Sequence, residues 1–156
     1  MPKQIITTEI EAPMSQVWQA LTESKEVEFW APNVRGLEVL PDGVVAKGAR
    51  RVFNLDLNGK DATLETEITH FVQNEMFAES IVGGSAGIHE KVAHVKLIFR
   101  LIELAEKRCA LNFSIDYEMK GFMNKMLEKV IMGALVSQYK LWFERLKTYA
   151  ETGRPV

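Results

Sequence analysis

The sequence predicts an α+β domain: a curved antiparallel sheet of six to seven strands around a long C-terminal helix, with two short helices after the first strand. Three observations predict it. From residue 36 to 119 apolar residues recur at period two, interrupted only by short turn signals, as in a meander of antiparallel strands. Residues 121–151 contain no proline and place Leu127, Ile131, Leu135, Trp142, Leu146 and Tyr149 at three- and four-residue steps, the period of an amphipathic helix. A helix of about 29 residues spans roughly 43 Å at 1.5 Å per residue, so it must cross the whole sheet. Finally, 156 residues with 47% hydrophobic and 26% charged side chains suit one well-buried globular core.

Each element follows from local chemistry. QIITTEIE (4–11) sets Ile6, Thr8 and Ile10 on one face, which is a strand. Ala12-Pro13 ends its ladder, because proline has no N–H to donate, and starts a helix over 13–21 with Met14, Val17, Trp18 and Leu21 on one side. Thr22 or Ser24 can cap a second helix that runs to Phe29 and stops at Trp30-Ala31-Pro32. GLEVL (36–40) is a strand closed by Pro41-Asp42-Gly43. RRVFNLDL (50–57) and ATLETEITHF (62–71) flank Asn58-Gly59, two residues that accept the positive φ of a type I′ hairpin turn. EMFAESIV (75–82), KVAHVKLIFRLIEL (91–104) and RCALNFSIDYEM (108–119) complete the strands, with turns at Gln73-Asn74 and Glu106-Lys107 and a Gly-rich loop at 83–87.

Composition excludes several classes of function. Nineteen Lys and Arg against 21 Asp and Glu give a net charge of −2 without a concentrated basic patch, so no nucleic-acid partner is expected. Cys109 is the only cysteine, which precludes an internal disulfide and favours a reducing compartment. No apolar run approaches membrane-spanning length, and MPKQIITTEIEAP lacks the apolar stretch of a signal peptide. A cytoplasmic location without stable membrane insertion is expected. No repeat or linker divides residues 1–156, which read as a single domain.

A sheet of this size curls, and a helix held in its concave side leaves space that can take a ligand. By strand parity Phe53, Leu55, Phe77, Ile81, Leu97, Phe99, Phe113, Ile115 and Tyr117 face that space. Met123, Met126, Leu127 and Val130 are expected as its floor, and Trp30 to Val34 with the 83–88 loop as its gate. The same periodicity also describes a solid core, because it marks a buried face without saying whether that face is filled.

The stretches EIEAPMSQVWQALTESKEVEFWAPNVRGLEVL (9–40), LETEITHFVQNEMFAESIVGG (64–84) and YKLWFERLKTYAE (139–151) resemble the START-like, or SRPBCC, helix-grip superfamily, and within it the polyketide cyclase/dehydrase-like group. The resemblance runs in order over nearly the whole chain, so residues 1–156 are expected to form a single START-like domain with the helix-grip fold. It implies binding of hydrophobic small molecules such as lipids, sterols, plant hormones, quinones or polyketides. Some members are aromatase/cyclases that fold a poly-β-keto chain and assist aldol closure and dehydration, and others only bind or carry ligands.

Enolisation and dehydration need a proton donor and acceptor beside the substrate in a dry pocket. Tyr117, inward by parity, is one candidate, though buried tyrosines usually just satisfy their hydroxyl. Arg51 shares the parity of Phe53 and could partner an enolate, yet an arginine near a strand start more often snorkels to solvent. Glu79, on the face of Phe77 and Ile81, is a candidate acid or base if it points inward, whereas an edge strand would leave it solvated. His70 alternates with Ile68 and could reach the pocket or sit hydrogen-bonded in the core. His89 and His94 are five residues apart, on opposite faces of a strand, and cannot share a metal. GGSAG lacks the Gly-Lys-Ser/Thr of a phosphate loop, so neither metal nor cofactor is expected. Three readings remain: a carrier of a hydrophobic molecule, a cyclase/dehydrase-type enzyme, and an interaction module that dimerises through Met132, Val136 and Phe143 as an apolar arc extending beyond the core.

Overall fold

The computed structural model describes residues 3–119 and 125–156. Seven strands form one antiparallel sheet: β1 (Lys3–Ile10), β2 (Val34–Leu40), β3 (Arg50–Leu57), β4 (Lys60–Val72), β5 (Met76–Gly83), β6 (Val92–Ala105) and β7 (Arg108–Met119). Their spatial order is β1-β7-β6-β5-β4-β3-β2. All neighbours except β1 and β7 are consecutive in the chain, as the short turns require. Helices α1 (Met14–Thr22) and α2 (Ser24–Trp30) follow β1, and α4 (Lys125–Thr152) ends the fold. The expected helix-grip architecture is therefore present.

Local readings hold in most places. Asn58 and Gly59 have φ of 55° and 86°, the two positive values a type I′ turn demands. Pro13 precedes α1, and its carbonyl accepts from the Gln16 and Val17 N–H groups. Gly153, at φ 71°, ends α4 with its N–H on the Tyr149 carbonyl, the αL stop that glycine provides. Two expectations fail. Neither Thr22 nor Ser24 caps α2; Glu23 is the N-cap without a side-chain bond, and the Thr22 hydroxyl donates to the Trp18 carbonyl instead. A one-turn helix, α3 (Ile88–Lys91), precedes β6 where strand was expected, because Gly87 at φ 75° turns the chain.

Bulges curve the sheet. Register shifts fall between Val34 and Gly36 in β2, between Ile68 and His70 in β4, and between Ala93 and Lys96 in β6, where His94 adopts φ 53°. Each extra residue bends its strand and raises local twist, so the sheet closes over α4 instead of lying flat. The bulge in β4 also changes parity: Ile68 and Phe71 pack inward and His70 is exposed, with its Nδ1 near the Thr69 hydroxyl.

Helix α4 buries Met132, Tyr139, Trp142, Phe143, Leu146 and Ala150 against the sheet. At about 100° per residue, Met126 and Val130 fall on the opposite side of the helix and Leu127 near its margin. They are 77%, 64% and 41% exposed, and Met126 and Leu127 do not form the expected cavity floor, whereas Val130 still lines the space between sheet and α4; Met123 lies outside the described residues. Met132 and Phe143 are core residues and Val136 packs against the core, so the dimerising arc expected from them faces the chain's own interior.

The 83–87 loop is fastened to β4. The Ser85 Oγ accepts from the Thr63 N–H at 2.9 Å, the Thr63 Oγ1 accepts from the Ser85 N–H at 2.9 Å, and the Ala86 N–H donates to the Thr63 carbonyl. Gly84 makes this approach possible: its φ is +110°, and a Cβ there would meet the Thr63 carbonyl oxygen at 2.3 Å. Gly84→Ala is expected to cost about 3 kcal/mol in urea unfolding, whereas Gly83→Ala, which meets the flexible Glu65 side chain, costs about 1 kcal/mol or less. Equal losses at the two positions would show that the loop is not pinned this way.

Candidate functional site

The interior between sheet and α4 is divided. Toward β5, β6 and β7 it is filled by packed rings: Phe77 stacked on Phe99 at 4.4 Å between centroids, Phe99 tilted against Phe113 at 4.9 Å, and Phe113 tilted against Tyr139 at 4.7 Å and edge-on to Phe143 at 4.9 Å. Such contacts add to area burial and leave no room between them. Phe77, Phe113, Leu97, Ile115 and Ile81 are all buried in this solid part. Toward β3, β4, α3 and the middle of α4 the rings give way to a chamber of about 340 Å³ that is half open to solvent. Leu55, Leu57 and Leu64 wall it from the sheet, Ala86 and Ile88 from the loop and α3, and Ile131, Leu135 and Trp142 from the helix. Its size lies at the small end of the range of about 300–1,000 Å³ typical of ligand pockets.

Two polar features border this apolar space. At one wall Asn33 Oδ1 accepts from Trp142 Nε1 at 3.1 Å and from Gln138 Nε2 at 3.2 Å, which fixes the α2–β2 connection to α4. Lys91 of α3 also lines the chamber. Beyond the wall formed by Leu64, Tyr139 and Trp142, a void of about 10 Å³ continues inward to Arg51 and Glu79, room for about one water.

Arg51 and Glu79, 3% and 2% exposed, form a bidentate ion pair: Nε donates to Glu79 Oε2 at 2.9 Å and Nη2 to Oε1 at 3.0 Å. The third guanidinium nitrogen, Nη1, donates to the Leu21 carbonyl at 3.0 Å, and the Thr66 hydroxyl donates to Glu79 Oε2 at 2.8 Å. Phe53 and Phe77 lie against the guanidinium, 4.9 and 5.2 Å from its central carbon. Tyr139, 5% exposed, lines both chamber and void. Burial, reinforced by the Glu79 charge against a smaller opposing effect of Arg51, pushes its phenol well above the ordinary range and keeps it protonated.

The expected site residues separate accordingly. Leu55 lines the chamber; Trp30, Phe53 and Phe99 line the inner void together with Arg51 and Glu79. Trp30 is no gate: its indole N–H donates to the Ala20 carbonyl at 2.8 Å and its ring meets Trp142 edge-on. The expected gate reaches the chamber through Asn33 on one side and through Ala86 and Ile88 on the other, and Val130 also lines it. Tyr117 is buried but lines neither space, which removes the geometric basis of its candidate role. Arg51 does not snorkel, and Glu79 lies on an interior strand of the sheet, not an edge. His89 belongs to a helical turn, so the strand-parity argument does not apply to it; no cluster of potential metal ligands occurs among the described residues.

Sequence reasoning missed Tyr139 and Thr66, and named Asn33 only within the expected gate of Trp30 to Val34. Tyr139 precedes Trp142 and Phe143 at the same three- and four-residue steps that mark the helix face, and Thr66 lies two residues from Leu64 and Ile68 on the buried face of β4. Nothing local distinguishes Asn33. A larger depression of about 490 Å³ lies outside, where Gln19, Thr22, Ser24 and Lys25 face Val44 and Phe71; it is open and polar and does not connect these groups.

Residues 3–151 match a family model described as polyketide cyclase/dehydrase and lipid transport. Among solved structures, the chain is similar to a START superfamily protein from Mycobacterium smegmatis, at 15% identity and a TM-score of 0.72 over 96% of this chain and 97% of that one. It also resembles the major latex-like protein 151 of Panax ginseng, at 15% identity and a TM-score of 0.73 over 96% and 97% of the two chains. The corresponding values for Ara h 8.0201 are 16%, 0.76, 96% and 98%. At such identities the likeness establishes the fold. No curated protein matches the chain at a significant level.

The ion pair dictates a measurable coupling. Arg51→Met or Glu79→Leu alone leaves a buried charge without its partner and is expected to cost about 3–5 kcal/mol in denaturant unfolding, while the double replacement Arg51→Met/Glu79→Leu costs far less than the sum. Additive losses would show that the two groups do not depend on each other.

Proposed function

Because the chain belongs to the polyketide cyclase/dehydrase and lipid-transport family of the START-like superfamily, we propose that it binds and carries a compact hydrophobic molecule in the chamber between sheet and α4. The observation that carries this reading is the chamber itself: about 340 Å³ walled by leucine, isoleucine and tryptophan side chains and reached past a short loop. Lipid-, quinone- and polyketide-like molecules share the chemistry such walls accept. No helix among the described residues is long and apolar enough to cross a membrane, and the single cysteine, buried in the core, is in keeping with a cytoplasmic carrier.

Binding is favoured over cyclase-type catalysis by the state of the candidate groups. Arg51 directs all three of its nitrogens at protein acceptors, and Glu79 accepts from Arg51 on both oxygens and from Thr66 on Oε2. A general acid or base must come within reach of the substrate, and neither group lines the chamber; both border only the inner void of about 10 Å³.

Native mass spectrometry of the purified protein, followed by titration with a naphthalene probe, tests the reading. Binding one probe per chain is the expected result. Ala134→Trp, which puts an indole into the chamber wall from an exposed helix position, is expected to weaken binding at least about tenfold while leaving the melting temperature nearly unchanged. A probe that binds wild type and Ala134→Trp equally would place ligand elsewhere and overturn the proposal.

A further inference from the structure

The Tyr139 hydroxyl has no use in the fold. Tyr139 is 5% exposed, and its ring is held by Phe113, Trp142 and Phe143. Yet among the described residues its hydroxyl makes no hydrogen bond, whereas the other buried polar groups around it, Arg51, Glu79, Thr66 and Trp142 Nε1, are all paired. A buried hydroxyl left without a partner forfeits about 1–3 kcal/mol. Among the described residues, the side-chain polar atoms sealed away from all free space without a hydrogen-bond partner are His89 Nδ1 and Asp116 Oδ1. The Tyr139 oxygen is not one of them, so it still borders open space, and the space its side chain lines is the chamber and the inner void.

We propose that the Tyr139 hydroxyl is the hydrogen-bond donor for one carbonyl oxygen of the ligand, so that the chamber selects uncharged, carbonyl-bearing apolar molecules. This rests on reading the chamber as the ligand site. Three facts specify the chemistry. The phenol keeps its proton, for the reasons given above, and therefore donates. The Arg51 charge is already neutralised by Glu79 in a two-point contact, and Lys91 lines the chamber but not the inner void, so no surplus cation stands in that void to compensate a buried carboxylate. Asn33, Gln138 and Lys91 line the chamber but not the inner void, and of the polar side chains that line the void Trp30, Arg51, Glu79 and Trp142 are already paired, so a ligand's inner end finds Tyr139 as the unpaired side-chain donor there.

The test pairs two probes of nearly equal size, 2-acetonaphthone and 2-ethylnaphthalene, titrated into wild type and Tyr139→Phe. Loss of one neutral hydrogen bond is expected to weaken the ketone about three- to tenfold, with the hydrocarbon's affinity unchanged. Infrared spectra of the bound ketone add a readout that packing does not move: its carbonyl stretch lies lower in wild type than in the phenylalanine variant. If the hydrocarbon binds but Tyr139→Phe shifts both probes equally, or neither, the subsite is disproved and the chamber stands. If neither probe binds wild type, the chamber reading falls and the subsite with it. Should Tyr139→Phe not fold, the wild-type spectrum decides: a stretch at the position seen in hydrocarbon solvent overturns the proposal.

Discussion

The bidentate contact between Arg51 and Glu79 organises the interior. It joins β3 to β5 across β4, draws in the α1 terminus through the Leu21 carbonyl, and engages β4 through Thr66. A charge in a low-dielectric core is tolerable only when every donor and acceptor around it is placed, so this pair restricts how four elements can sit relative to one another. A purely apolar core of the same volume could be as stable, but it would impose no such register. The inner end of the void is where it is because these groups cannot be moved without exposing a charge.

Around that fixed point the interior divides by side-chain shape. Flat rings pack face to face, tilted and edge-on toward β6 and β7 and exclude a ligand. On the other side, branched aliphatic side chains from β3 and β4 face the middle of α4 across a gap they do not close. The bulges in β2, β4 and β6 bend the sheet, and the loop pinned by Ser85 and Thr63 meets α3 to complete the wall. Curvature makes the space, and short aliphatic side chains leave it unfilled.

The exposed start of α4 has a related cause. A helix of 28 residues is longer than the buried stripe it carries: the stripe begins at Met132, and the turns before it present Met126 and Val130 outward. The apolar residues of this region suggest a floor when counted by composition, and only the helical angle separates them from the residues that face the sheet.

Sequence alone determined the element order, the hairpin at Asn58-Gly59, the antiparallel meander and the crossing helix, because these depend on period, proline and positive φ, all local properties. It also placed Phe53, Leu55 and the other strand residues on the inward face correctly, since strand parity is local until a bulge intervenes. His70 shows the limit: one extra residue in β4 reverses its direction, and no neighbouring residue announces it. Whether Arg51 and Glu79 meet, whether Tyr117 or Tyr139 borders the void, and whether the core is filled were decided by tertiary structure alone. Those outcomes depend on the relative placement of strands and helices far apart in the chain, where packing of whole surfaces outweighs the preference of any single residue.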